Sequence, residues 1–124
     1  MGRIVSGLAV LSFAAASTVV SAHHGGAAYD QTKSVTFEAT VTELQFANPH
    51  VLVFFDVTTE GKTDKWSGWL TAPNKLARAG WTRRTLAPGD RITVSGTPHK
   101  DGNPILQIRR LVGPDGNALA LSED

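Results

Sequence analysis

From position 35 onward, apolar residues recur with the period of two that marks half-buried strands. Val35, Phe37, Ala39 and Val41 alternate with Thr36, Glu38, Thr40 and Thr42. The apolar phase then slips by one, to Leu44 and Phe46, as a β-bulge near Thr42-Glu43 would produce. The pattern predicts a long first strand that bends midway, which a small barrel requires if one strand is to serve both sheets. Asn48-Pro49 predicts a turn, because proline lacks an N–H and restricts the residue before it. A second strand is expected over 50–59, with Val51, Val53, Phe55 and Val57 on one face. Glu60-Gly61-Lys62 closes a hairpin onto a third strand over 63–70. Pro73 early and Gly80 just past the end predict two helical turns over 73–79, and Thr82 can cap one more turn through Leu86. Pro88-Gly89-Asp90 leads into a fourth strand over 91–97, Asp101-Gly102 signals a hairpin, and a fifth strand covers 105–112.

Three meandering strands, a helix and a final hairpin follow one another in the order of the oligonucleotide/oligosaccharide-binding (OB) barrel. The expected fold is therefore all-β: a small five-stranded OB-like barrel over 33–113, with one short helix between strands 3 and 4 and a tail at 114–124. A generic small antiparallel sheet with one helix is the competing architecture. No internal repeat or second domain interrupts this reading.

The segment before the barrel has a different character. Arg3 gives a short positive start, residues 4–20 carry no charge, and Val20-Ser21-Ala22 offers small residues at the −3 and −1 positions of a signal-peptidase site. The expectation is a cleaved leader at 1–22, export to the periplasm or beyond, and a mobile His-rich segment at 23–32. An uncleaved anchor is the competing reading, but a spanning helix wants about 20 strongly apolar residues.

Losing the leader changes the charge. Arg3 is the only one of the 12 basic side chains in residues 1–22, so the remainder balances the 11 acidic ones. A barrel that grips nucleic acid is normally basic, so nucleic acid is disfavoured as a partner. The chain has no cysteine, and its single methionine is Met1. The core must therefore hold without disulfides, and no sulfur ligand remains after cleavage.

The motifs along the chain are His23-His24, Ala28-Tyr29-Asp30, Phe46-Ala47-Asn48-Pro49-His50, Pro73-Asn74-Lys75-Leu76, Gly80-Trp81-Thr82, Leu86-Ala87-Pro88-Gly89-Asp90 and Lys100-Asp101-Gly102-Asn103-Pro104. In this combination the chain resembles a family of small exported bacterial proteins of unknown function. The resemblance implies export and an OB-like barrel, and it brings no established activity.

The histidine pair carries the sharpest chemical hypothesis. Cleavage after Ala22 would leave His23 with a free α-amine and an imidazole, two nitrogens able to chelate one ion. A second imidazole, from His24 or His50, would complete a three-nitrogen set of the kind that suits Cu(II). Tyr29 or Asp30 could add an axial oxygen, and a cut after Ser21 would place a histidine third in the chain, also a Cu(II) motif. Zinc is the other ion these ligands would take. The plain reading is that His24 and His50 make ordinary hydrogen bonds and that the exposed N-terminus binds copper only adventitiously. His99, beside the Asp101-Gly102 hairpin, is expected as a solvated turn residue.

Trp66 and Trp69 differ in parity and should point to opposite faces, one into the core and one onto the barrel wall. An exposed tryptophan there could stack on a sugar ring or a partner peptide. The second hypothesis is accordingly a metal-free interaction module for an envelope protein or glycan. Arg110 shares parity with Leu106, Ile108 and Val112, which places it at the barrel end or against a carboxylate. No nucleophile elbow, phosphate loop or His-Glu-x-x-His motif occurs, so no enzyme activity is read.

Overall fold

The computed structural model describes residues 26–123. The expected leader at 1–22, together with His23 and His24, lies outside the described residues. Five strands follow the alternation read from the sequence: β1 (Val35–Gln45), β2 (Leu52–Thr59), β3 (Lys62–Trp69), β4 (Arg91–Pro98) and β5 (Ile105–Val112), with helix α1 (Pro73–Arg78) between β3 and β4. Their spatial order is β1-β2-β3-β5-β4, and the sheet closes on itself as a barrel.

Closure depends on the bent first strand. Its first half pairs with β4, from Val35 opposite Gly96 to Thr40 opposite Arg91. Its second half pairs with β2, and the register slips between Val41 and Glu43. That slip is the bulge that the phase change at Thr42-Glu43 predicted, and it turns the strand from one neighbour to the other. The remaining seam is short and parallel, with Ser67, Gly68 and Trp69 opposite Ile105, Leu106 and Gln107.

A second bulge, in β5, was not expected. Ser95 faces Arg110 while Gly96 faces Ile108, so Arg109 is the extra residue. The inward positions become Leu106, Ile108 and Leu111, and both arginines are exposed. The simple parity that grouped Arg110 with Leu106 and Ile108 therefore breaks at Arg109, because a bulge inverts the face of everything after it. Glycine is needed beside this bulge. A Cβ on Gly96 would collide with the carbonyl oxygen of Gln107, and one on Gly68 would come within 2.5 Å of Ile108 Cδ1.

The barrel interior is apolar throughout. Val41, Val53, Phe55, Val94, Leu106 and Leu111 are essentially inaccessible, and burial of this kind supplies most of the driving force for folding. Helix α1 adds Leu76 to the same core. The helix stops where Gly80 takes φ 102°. The Gly80 and Trp81 amides then donate to the carbonyls of Ala77 and Leu76 at 3.1 and 2.9 Å, a Schellman closure. Trp81 is buried and donates its indole N–H to the Ala120 carbonyl at 2.7 Å, so the tail also lies against the barrel, with Leu119 and Leu121 packed on the core. Among the described residues, no helix is long and apolar enough to cross a membrane.

Candidate functional site

Residues 26–34, ahead of β1, form a strap across the outside of the barrel. Residues Gly26–Ala28 make one 3-10 turn, and Tyr29 then bridges to His99. The Lys100 amide donates to the Ala28 carbonyl at 2.9 Å, and the Asp30 amide donates to the Pro98 carbonyl at 2.9 Å. The segment expected at 23–32 thus has its described portion hydrogen-bonded to the start of the β4–β5 connection. Tyr29 is 6% exposed yet stands apart from the barrel core; it is buried against the outer wall.

The wall residue it meets is Trp69. In the β2–β3 register Leu52 lies opposite Trp69 and Phe54 opposite Ser67, and these side chains face outward while Val53 and Phe55 face the core. Trp66, of opposite parity, lies opposite buried Phe55 and packs against Phe37 with ring centroids 4.8 Å apart. The expectation that the two tryptophans split between faces is met. The indole N–H of Trp69 donates to the Tyr29 hydroxyl oxygen.

Four rings form a continuous row along this wall. His50 meets Trp69 edge-on at 4.8 Å, Trp69 meets Tyr29 at 5.5 Å, and Tyr29 meets His99 edge-on at 5.3 Å. These are favourable aromatic geometries. They line a hollow of about 340 Å³, completed by Leu52, Ser67 and Ile105. On the far side of His50 and Trp69 lies a second hollow of about 300 Å³, which extends to Gln107, Arg109 and Leu121. Neither hollow is lined by an aspartate or glutamate.

Each histidine of the row has one nitrogen committed. His50 Nδ1 lies 3.1 Å from the Leu70 carbonyl oxygen. A carbonyl only accepts, so Nδ1 carries the hydrogen, and in the neutral ring the lone pair belongs to Nε2. His99 Nδ1 lies 2.5 Å from the Asp101 carboxylate and donates to it. Asp101 is held below the usual carboxylate range, first by the Asn103 amide and then by His99. His99 was expected as a solvated turn residue. It is instead only 22% exposed, because Tyr29 covers it. No local sequence signal marks that contact, since 70 positions separate the two residues along the chain.

The proposed oxygen donors are already engaged. Burial pushes the Tyr29 phenol up, with the Trp69 N–H pulling weakly the other way. Asp30 accepts from the Thr32 hydroxyl and amide at 2.5 and 3.1 Å and lies 3.6 Å from Lys33 Nζ. Those bonds hold its carboxyl below the ordinary range. Among the described residues, no three histidine or carboxylate side chains converge as a metal ion would require. Of the predicted set His23, His24 and His50, only His50 is placed, and it lies in the groove beneath the strap.

A closed five-stranded barrel with an aromatic groove on its outer wall is the class of protein that this geometry defines. The chain belongs to a family of unknown function, DUF6152, whose model matches residues 9–106. That span includes the histidine pair, the strap and all four rings of the row. No curated protein matches the chain.

Proposed function

We propose that this is an exported, OB-like binding protein that holds a Cu(II)-class ion between its mature N-terminus and the groove. The ligands would be the α-amine and imidazole of His23, with His24 and His50 supplying further imidazole nitrogen. The observation that carries the reading is His50: its Nδ1–H is fixed by a backbone carbonyl, which makes Nε2 the lone-pair nitrogen of the neutral ring. Histidine ligands to metals are commonly oriented by such a partner. Connectivity supports it too, since four residues of chain keep His24 within about 14 Å of Ala28, which lines the groove with His50. The position also agrees, because OB barrels bind ligands on the face of strands 2 and 3 between the 1–2 and 4–5 loops. Here those loops contribute His50 and His99.

The test is to express the chain with its own N-terminal segment, establish the mature terminus by mass spectrometry, and titrate with Cu(II) under electron paramagnetic resonance. The expected result is one tightly bound ion with nitrogen hyperfine structure, weakened and altered in His50→Ala. Weak binding indifferent to His50 would overturn the reading. The metal-free alternative, a module for an envelope protein or glycan, draws its support from Trp69, a half-buried ring on the barrel wall.

A further inference from the structure

Arg109 is presented by the bulge in β5, where an extra residue re-aims a side chain. Its guanidinium donates to the side-chain carbonyls of Gln107 at 2.9 Å and Gln31 at 3.2 Å. Gln31 is itself tied to the Gly26 carbonyl at 3.0 Å. Both partners are neutral, so they orient the fork without cancelling its charge. Among the described residues Arg109 makes no ion pair, unlike Arg78, which lies 3.8 Å from Glu123. The hollow it borders is also lined by Trp69, His50, Thr71 and Leu121, and by no acidic residue. One end therefore offers a planar donor fork suited to a carboxylate, and the other offers ring and aliphatic surface.

We propose that this second hollow binds a small organic acid: a single ring bearing one carboxylate, with the acid on Arg109 and the ring on the Trp69–His50 side. The ring's chemistry, aromatic or sugar, is the remaining variable. The site shares the His50 ring with the metal reading but needs neither copper nor the His23-His24 pair.

The experiment uses the full mature chain, stripped of metal with EDTA and labelled with ¹⁵N. Benzoate and glucuronate are titrated in parallel with their uncharged counterparts, benzamide and glucose. Binding by either acid should shift the Trp69 indole N–H and the amides of Gln107 and Arg109, and should exceed that of its neutral counterpart. Whichever acid binds identifies the ring. Arg109→Gln should weaken binding about tenfold, as loss of a charged hydrogen-bonding partner implies. Arg109→Lys should fall between the two, and both variants should keep the wild-type spectrum of the barrel interior, because Arg109 is exposed. Equal binding of acid and neutral analogue, indifference to Arg109→Gln, or no binding by either acid would each overturn the proposal. Because copper is absent throughout, failure here leaves the metal reading untouched, and failure of the copper titration leaves this one untouched.

Discussion

The inside and the outside of this barrel wall are built from the same strands but by different means. The inward residues of β2 (Val53, Phe55, Val57) meet other apolar side chains from every strand and form one continuous core. The outward residues of the same sheet meet a strap and two loops, and their partners are rings and polar groups: Tyr29, His50 and His99. The interior is held by volume, which tolerates little change. The groove is held by a few directional contacts from a segment outside the barrel. The difference shows where stability resides and where binding can occur.

The largest effect should come from emptying the interior. Phe55 is fully buried among Val53, Gly68 and Ile108, and Phe55→Ala should cost about 4 kcal/mol in denaturant unfolding. Overfilling should come next. Gly96→Ala places a methyl group against the Gln107 carbonyl, a backbone atom of the neighbouring strand that cannot rotate away. About 3 kcal/mol is expected, again from unfolding midpoints. A loss below about 1 kcal/mol at either position would mean that the interior is less tightly determined than the wall outside it.

The groove should respond differently. Tyr29→Ala removes a buried ring, but the strap can undock locally instead of carrying the whole loss, so only about 1 to 2 kcal/mol of global stability should disappear. Hydrogen exchange is the discriminating measurement. Protection at the Tyr29, Asp30 and Lys100 amides should collapse, while that of Val53 and Val94 remains. Equal loss of protection in both sets would show that strap and barrel are one cooperative unit, and the contrast would fail.

This contrast also explains how much could be read from the sequence. The alternation at Val35, Phe37, Ala39 and Val41 reports a local fact, the pleat, so β1 and its bulge were legible. So were α1, ended by Gly80, and the hairpin at Asp101-Gly102. The second bulge was hidden because Arg109-Arg110 breaks the alternation without a glycine or proline to mark it. His50 was singled out through its Asn48-Pro49 neighbour, a local signal. His99 was misjudged because its burial comes from Tyr29, a contact between distant chain segments that no spacing encodes. The groove residues are brought together by closure of the barrel, so their grouping, as opposed to His50 or Trp69 singly, could be recognised only after the fold was in hand.

The smallest expected effect concerns a single proton, and the composition makes it unusually clean to measure. The chain contains one tyrosine, so phenolate absorbance reports Tyr29 alone. Burial raises its pKa above the ordinary value of 10.0, and the Trp69 N–H, by donating to the oxygen, opposes part of that rise. Titration at 295 nm should therefore show ionisation later than in the unfolded chain. Trp69→Phe, which keeps a ring but deletes the donor, should delay it further. A folded pKa above the unfolded one means that the groove contribution is complete below the unfolded value and is lost as pH rises through the folded one. Alkali should consequently release the strap before it unfolds the barrel, and the amides of Asp30 and Lys100 should lose protection first. A Tyr29 that titrates at its unfolded value in the intact protein would place the ring in water, and with it would go the argument that strap and wall enclose a groove at all.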